Sequence, residues 1–301
     1  MNRRHFLGKA SLLASLAAAF SASPGAMAAD KAPLFKISLA EWSLHRALMA
    51  GRMSNLDFPA YAREKVGADG VEYVNIFFKD RARDEAYLTD LKKRASDYGV
   101  QSVLIMCDGE GNIGDPDEKA RAKSVENHQA WVSAARFLGC HAIRVNASSS
   151  GSPEEQHKLV VDGLSRLGEF ARSQEINVIV ENHGGLSSDG AWLAGTLKAV
   201  GMPNVGSLPD FGNFHEYDRY QGIKDLMPYA KGVSAKSHEF DGQGNEVRTD
   251  YEKALRLVLD AGYRGFIGIE YEGAVLSEDA GILATRDLLL RLRTKLEADF
   301  H

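Results

Sequence analysis

The sequence predicts an α/β protein folded as one (β/α)8 barrel, and three observations carry that prediction. Eight short apolar segments, most rich in β-branched residues, alternate with stretches of helical spacing. That is the signature of a parallel sheet buried on both faces. Residues 29–301, left after an N-terminal export signal, number 273, against the about 250 residues one such barrel takes. The last four apolar segments each end in a residue able to bind a metal, at the end of the strand where barrels of this kind place their sites.

The elements follow in order. Residues 35–43 (F-K-I-S-L-A-E-W-S) read as strand one. Residues 58–66 form a short amphipathic helix, and the turn 67–70 leads into strand two, residues 71–77. Residues 83–98 have helical spacing, with Gly99 where a helix-terminating glycine belongs. Strand three is 101–107. Residues 118–138 form a long amphipathic helix ending at Gly139, and strand four is 141–146. Pro153 at a helix start, with Glu154 and Glu155 in the first turn, opens helix 154–174. Strand five lies in I-N-V-I-V-E-N-H-G-G, residues 176–185. Helix 191–200, strand 205–209, helix 223–230, strand 232–237, helix 251–261, strand 266–271 and helix 282–298 complete the chain. An open doubly wound sheet is the competing architecture, but the Gly-x-Gly-x-x-Gly turn it wants after its first strand is absent.

The first 28 residues read as a separate targeting segment. M-N-R-R-H-F-L-G-K precedes an apolar run over residues 10–20, and Ala26-Met27-Ala28 forms a small-x-small cleavage site. Arg3-Arg4 with Phe6 and Leu7 gives it the character of a twin-arginine signal. The apolar run of 11 residues is too short to span a bilayer. The expectation is a periplasmic protein, cleaved near Ala28, whose precursor engages the twin-arginine export machinery and whose processed form has no membrane contact.

Removing Arg3, Arg4 and Lys9 from the 36 basic residues leaves 33 against 41 acidic ones, a net charge of −8. That balance argues against nucleic acid or an anionic membrane as a partner. Cys107 ends one strand and Cys140 begins the next, so the two belong at opposite ends of the barrel. They are expected to be buried free thiols.

The chemistry concentrates at the ends of strands five to eight. Glu181 closes an apolar run, and an ionised carboxylate there is costly unless paired or bound to a cation. The pattern recurs at Asp210 after V-G-S-L-P, at His238 after G-V-S-A-K-S, and at Glu270 within F-I-G-I-E. Three carboxylates and one imidazole suit one divalent cation, Mn²⁺ or Mg²⁺ before Co²⁺ or Zn²⁺. Two glutamates held by one metal can also act as an acid/base pair on opposite faces of a bound sugar.

Taken together, V-E-N-H-G-G, L-P-D-F-G-N-F, V-S-A-K-S-H-E-F-D and I-G-I-E-Y-E-G resemble the xylose-isomerase-like barrels of the sugar phosphate isomerase/epimerase kind. The resemblance spans essentially all of residues 29–301. It implies that Glu181, Asp210, His238 and Glu270 hold one divalent metal and that Glu181 and Glu270 are the proton-transfer pair. Related zinc endonucleases need a richer histidine set and a basic surface, and this chain has neither.

Further candidates surround these four. His183 shares a strand face with Glu181 and suits a sugar hydroxyl, or is structural. Lys236 shares a face with His238 and belongs in the site, because a lysine inside a barrel strand needs a partner. His215 follows Asp210 by five residues and can reach in from the loop. Arg144 and Asn146 are placed to bind substrate oxygens or form an ordinary ion pair. Trp42, with His45, offers an apolar sugar platform or belongs to the core. Glu272, Asp108, Glu110 and Glu72 read as supporting or solvated.

Export and the absence of a phosphate cradle point to a small non-phosphorylated carbohydrate substrate. The expected reaction is isomerisation or epimerisation through a metal-stabilised enediolate. Elimination from a 3-keto-glycoside is the alternative that exported relatives imply, and a non-catalytic sugar- or metal-binding protein is a third reading. The chain leaves a homo-oligomer open. Replacing Arg3 and Arg4 together by Lys is expected to leave precursor in the cytoplasm. Undiminished periplasmic delivery, followed by fractionation and blotting, would point to the general secretory route instead.

Overall fold

The computed structural model describes residues 32–300. The expected signal peptide, residues 1–28, and its cleavage site therefore lie outside the described residues. Among the described residues there are eight strands: β1 Lys36–Ala40, β2 Gly70–Val74, β3 Gln101–Met106, β4 Ala142–Asn146, β5 Asn177–Glu181, β6 Val205–Leu208, β7 Val233–Ser237 and β8 Phe266–Tyr271. All ladders between them are parallel, in the order β6-β5-β4-β3-β2-β1-β8-β7. The remaining seam, β6 to β7, is closed by backbone bonds from Lys231 N to Ser207 O (3.0 Å), Ser234 N to Pro209 O (2.9 Å) and Phe211 N to Ser234 O (3.0 Å). The predicted (β/α)8 barrel is the observed fold.

The helices are α1 His45–Met49, α2 Phe58–Tyr61, α3 Glu85–Asp97, α4 Glu118–Leu138, α5 Pro153–Ser173, α6 Gly190–Val200, α7 Arg219–Leu226, α8 Tyr251–Asp260 and α9 Glu278–Phe300. Sequence sets where most of them start. Asp84, Asp117, Ser152, Asp189, Asp218 and Asp250 each accept a first-turn backbone N–H at their helix N-terminus. Gly139 and Gly201 end α4 and α6 in the left-handed conformation that favours glycine.

Alternation along the strands sorts side chains into two cores. Val178, Val180, Ile143, Val145, Ile267 and Ile269 face outward into the large layer between sheet and helices. Ala40, Val74, Leu104, Met106, Ala142, Ile179 and Leu208 fill the barrel axis, with Trp42, Ile76, Phe77 and Phe266 packed on them. The same inward parity carries Ser38, Glu72, Arg144, Glu181, Ser234, Lys236 and Glu270, all buried. A carboxylate low in the axis needs space, and Gly268 provides it: a Cβ there would lie 2.5 Å and 2.6 Å from the Glu72 carboxylate oxygens.

The first two strands are shorter than their apolar patterns suggest. The chain leaves the ladder after Ala40 into a 3₁₀ turn, Glu41–Leu44, and after Val74 into another, Asn75–Arg81. Trp42, Ile76 and Phe77 spend their hydrophobicity as a lid on the axial core. The turn is fixed by Glu41, whose carboxylate accepts hydrogen bonds from Val74 N (2.9 Å) and Asn55 Nδ2 (2.8 Å). The helix expected over 223–230 begins earlier, at the Asp218 cap, and gives way at Pro228 to a 3₁₀ turn, Met227–Tyr229.

The helix layer is tightly fitted in places. A methyl at Gly163 in α5 would overlap the carbonyl oxygen of Ile113, whereas one at Gly195 in α6 would meet nothing within 4 Å. Gly163→Ala is therefore expected to destabilise the protein by about 1–3 kcal/mol, and Gly195→Ala to stabilise it by about 0.4–1 kcal/mol. Urea midpoints of the two variants check both signs.

Candidate active site and cation centre

The ends of β5 to β8 converge at one mouth of the barrel. Glu181 is the last residue of β5, Asp210 lies two residues past β6, and Glu270 is the fifth residue of β8. One carboxylate oxygen from each lies within 4.8 Å of the others, and all three side chains are buried. Strand register supplies their neighbours: Asn146 of β4 pairs with Glu181, and Lys236 of β7 pairs with Glu270.

Asp210 is held from all sides. Its backbone N–H donates to Asn182 Oδ1 (2.7 Å), and Asn182 Nδ2 donates to its carbonyl (3.0 Å), so the ends of β5 and β6 are locked together. Asp210 Oδ1 accepts from Gly212 N (2.7 Å) and Asn213 N (3.0 Å). Ser234 Oγ lies 2.8 Å from both Asp210 Oδ2 and Glu270 Oε2. A hydroxyl has one hydrogen, so it satisfies one of these oxygens and leaves the other short of a donor.

Two cations answer the carboxylates. Lys236, buried, places Nζ 3.9 Å from Glu181 Oε1, 3.7 Å from Asp210 Oδ2, 3.6 Å from Glu270 Oε1 and 3.1 Å from Glu272 Oε1. Arg144, also buried, has Nε 2.9 Å from Glu181 Oε2 and donates from Nη1 to Asp108 Oδ1 (2.8 Å) and Asn146 Oδ1 (3.2 Å). The Arg144–Glu181 contact is an ion pair by distance without hydrogen-bond alignment, and Arg144 Nε and Glu181 Oε2 make no other bond. Asn213 Nδ2 donates to the other oxygen, Glu181 Oε1, at 3.1 Å.

Burial dominates the titration of this group. It pushes Asp210 up to about 6 despite the Lys236 ammonium, with the Glu181 charge adding to the rise. Glu270 is raised well above the usual carboxylate range for the same reasons, burial first, with Lys236 opposing. At the rim the balance reverses: Lys236 overcomes burial and holds Glu272 below its ordinary value, and Arg144 does so for Asp108. The net effect on Lys236 is a pKa raised well above that of a free lysine, because its carboxylates outweigh its desolvation.

The structure thus gathers Glu181, Asp210, Glu270, Lys236, Arg144 and Asn146 at one point. It does not bring His238 into the group. That residue follows β7 half-buried, its backbone N–H donating to Glu246 Oε1 (3.2 Å), and the metal-sized cluster among the described residues omits its ring. His215 is exposed on the loop after β6, with a positive φ of 50°. It lines a separate cleft of about 430 Å³ with Phe214 and Tyr217. His183 is exposed at the mouth, lining a cleft of about 250 Å³ with Asn146 and Gln156. Trp42 stacks on His45 (centroids 4.9 Å apart) and on Phe77 (6.1 Å), forming an aromatic wall by β1 and β2.

Several contributors escaped the sequence reading. Ser234 and Asn213 bind the carboxylates directly, and their only signal was strand parity in V-S-A-K and proximity to Asp210 in D-F-G-N. Asp108 is bound by Arg144 and by Asn146 Nδ2 (2.8 Å). Glu110 is structural, accepting from Asn75 Nδ2 and Trp131 Nε1, both at 2.9 Å. Cys107 and Cys140 are free and buried, as expected.

The residues fit a divalent cation. Three buried carboxylates can each lend one oxygen to a single point, the oxygen-rich set that hard cations prefer. Glu181 Oε2 lacks a hydrogen bond, and Ser234 leaves a further carboxylate oxygen without a donor.

Residues 60–293 match the sequence model of the xylose isomerase-like TIM barrels, and the chain belongs to that family. Among solved structures, it is similar to the IOLI protein solved with a bound zinc atom, at TM-score 0.70 and 16% identity, covering 87% of this chain and 99% of that one. It is similar also to the 3-keto-D-glucoside 4-epimerase YcjR of E. coli, at TM-score 0.66 and 20% identity, covering 86% and 99%. A curated relative, the C-glycoside deglycosidase alpha subunit of Arthrobacter globiformis, is 35% identical over 54 residues. That match covers 18% of this chain and 15% of the relative's length.

Beneath the site, Glu72 accepts from Ser38 Oγ (2.5 Å) through one oxygen, while the other has no partner. Burial raises its pKa to about 7, with the Ser38 bond opposing. An acid whose folded pKa exceeds its unfolded value holds its proton longer when folded, so its ionisation erodes stability as pH climbs between the two values. Glu72→Gln removes that ionisation. Relative to wild type, the variant is expected to gain stability as pH rises from about 4.5 to about 7, by up to about 3 kcal/mol, with no further gain above. Paired chemical denaturation at pH 5 and pH 7.5 tests this; a pH-independent difference would refute it.

Proposed function

We propose that this protein is a carbohydrate isomerase or epimerase that shifts a proton beside a substrate carbonyl, with Glu181 and Glu270 as the proton-transfer pair. The observation that carries this reading is the convergence of the two glutamates, from β5 and β8, on one buried point in unequal surroundings. Glu181 faces the Arg144 guanidinium and the Asn213 amide. Glu270 faces a serine hydroxyl and is pushed by burial toward its neutral form. A base and an acid set side by side by different environments are what proton abstraction and return require.

Glu181, Asp210 and Glu270 would hold the divalent cation, which would polarise the carbonyl and stabilise the enediolate oxygen. The chain's own side chains do the rest. Asn146 and His183 stand at the mouth to take hydroxyls, and the Trp42–Phe77 wall offers an apolar face to a sugar ring. A second cleft of about 340 Å³, lined by Glu110, His128, Asn146 and Ser148, adjoins the one lined by His183. The two share Asn146 and Ser148, which gives room beyond a single ring. The twin-arginine-type N-terminus supports periplasmic action on a carbohydrate without phosphate.

Elimination from a 3-keto-glycoside is the second reading. It is favoured by the 54-residue similarity to the C-glycoside deglycosidase subunit and by the fold shared with the 3-keto-D-glucoside epimerase. It would use the same base and ask the other glutamate to protonate the leaving group.

An amide keeps the shape of a glutamate but cannot carry its proton at neutral pH. Glu181→Gln and Glu270→Gln are therefore each expected to lower kcat by about 10²–10⁴-fold at saturating Mn²⁺. Proton exchange in D₂O, followed by NMR with ketoses and 3-keto-glycosides, is the readout. For an epimerase, one variant retains exchange of one epimer only. Recovery of both variants on adding metal would reduce the glutamates to ligands, and no exchange in wild type with any candidate would make the protein a binder.

A further inference from the structure

We infer that Lys236 is the resident cation of the carboxylate cluster and yields that place to a divalent metal by withdrawing toward Glu272, which it already touches. The inference rests on the proposed reading of Glu181, Asp210 and Glu270 as the metal's holders. Among the described residues, Lys236 is the cation the structure sets against all three of them, at 3.6–3.9 Å. These separations are too long for hydrogen bonds, so the ammonium stands over the group and neutralises it by charge alone. Its one contact at hydrogen-bond distance is with Glu272, at 3.1 Å.

The stem is confined as well as the head. Gly212 packs against it so closely that a Cβ there would sit 3.0 Å from Lys236 Cγ and Cδ. The side chain is therefore braced by the same D-F-G-N loop that holds Asp210, and its free travel is at the tip. A metal bound at about 2.0–2.6 Å from the same oxygens would share a buried pocket with an ammonium 3.6–3.9 Å from them. Like charges at such range in a low dielectric repel strongly. Glu272, partly open at the rim and already 3.1 Å from the ammonium, keeps a partner for it when it withdraws from the other three. Lysine and metal thus compete, and Glu272 sets the terms of the exchange.

Isothermal titration with Mn²⁺ tests the exchange on four proteins: wild type, Lys236→Met, Glu272→Gln and the double variant. Lys236→Met keeps the stem and removes the charge, and is expected to bind Mn²⁺ at least about tenfold more tightly than wild type. Glu272→Gln removes the parking place and is expected to weaken binding in the wild-type background but to change nothing in the Lys236→Met background. Equal affinity of wild type and Lys236→Met would overturn the competition while leaving the metal site standing. The same loss from Glu272→Gln in both backgrounds would make Glu272 a metal contact and overturn its role as lysine acceptor. Binding by none of the four would remove the metal reading and the competition together. Crystals of the unaltered protein with and without Mn²⁺ decide the matter should Lys236→Met not fold. The ammonium is expected to be farther from the three carboxylates when anomalous density marks the metal, and an unmoved ammonium beside a bound metal would refute the exchange.

Discussion

The constraint on which the barrel mouth depends is the burial of carboxylates. Removing an ion from water costs several kcal/mol even after a protein relaxes, roughly, and the cost is met only by partners in good geometry. Glu181, Asp210 and Glu270 are all essentially inaccessible to solvent. Around them stand two buried cations, Lys236 and Arg144, the hydroxyl of Ser234, the amide of Asn213 and the backbone N–H groups of Gly212 and Asn213. Even so, Glu181 Oε2 makes no hydrogen bond and burial holds Asp210 and Glu270 toward their neutral forms. A group that remains short of positive charge after recruiting two cations is poised to bind another or to hold a proton. Both properties suit proton transfer.

The parallel sheet explains how one chain puts these groups together. Each strand delivers every second side chain to the axis, and register fixes which ones meet. Asn146 stands beside Glu181 because β4 and β5 pair residue for residue, and Lys236 stands beside Glu270 because β7 and β8 do the same. The β6–β7 seam departs from a regular ladder where Asp210 leaves the strand. On its other side Asp210 is tied to the end of β5 by the two Asn182 side-chain bonds. Deeper in the axis, Glu72 and Gly268 show the same economy: one strand gives up its side chain so that another can carry a carboxylate.

How far the sequence could be read follows from which signals are local. The barrel was legible because alternation of apolar strand and amphipathic helix is a local pattern repeated eight times. The last strand coincides with its expected span, 266–271, because nothing at its ends competes with the ladder. The first two strands were overestimated because Trp42, Ile76 and Phe77 carry strand-like hydrophobicity while packing as a lid, an arrangement set by the distant Glu41–Val74 bond. The three carboxylates were legible from charge placed at strand ends. His238 looked equivalent on that criterion, but parity says only which face a side chain starts from, and once the chain has left β7 its ring does not join the cluster. Lys236, one step earlier on the same face, is the residue that reaches the carboxylates. Ser234 was invisible because a serine in a strand carries no charge signal until its partners are known.

The contrast between Lys236 and His238 also bears on how the proposed chemistry stays confined. An imidazole among the three carboxylates would add a fourth ligand to a metal held there. An ammonium reaching the three carboxylates offsets part of their charge instead. The same ammonium lies within 4 Å of both proposed proton-transfer residues, so any movement of Lys236 changes the field on Glu181 and Glu270 together. A shift toward Glu272 weakens the attraction that favours the charged form of Glu270, whereas a shift inward strengthens it. Metal entry, lysine position and the readiness of the glutamates to exchange protons are thereby tied to one side chain. On this reading, the lysine holds the carboxylate cluster first, and a metal that displaces it resets the field on both glutamates.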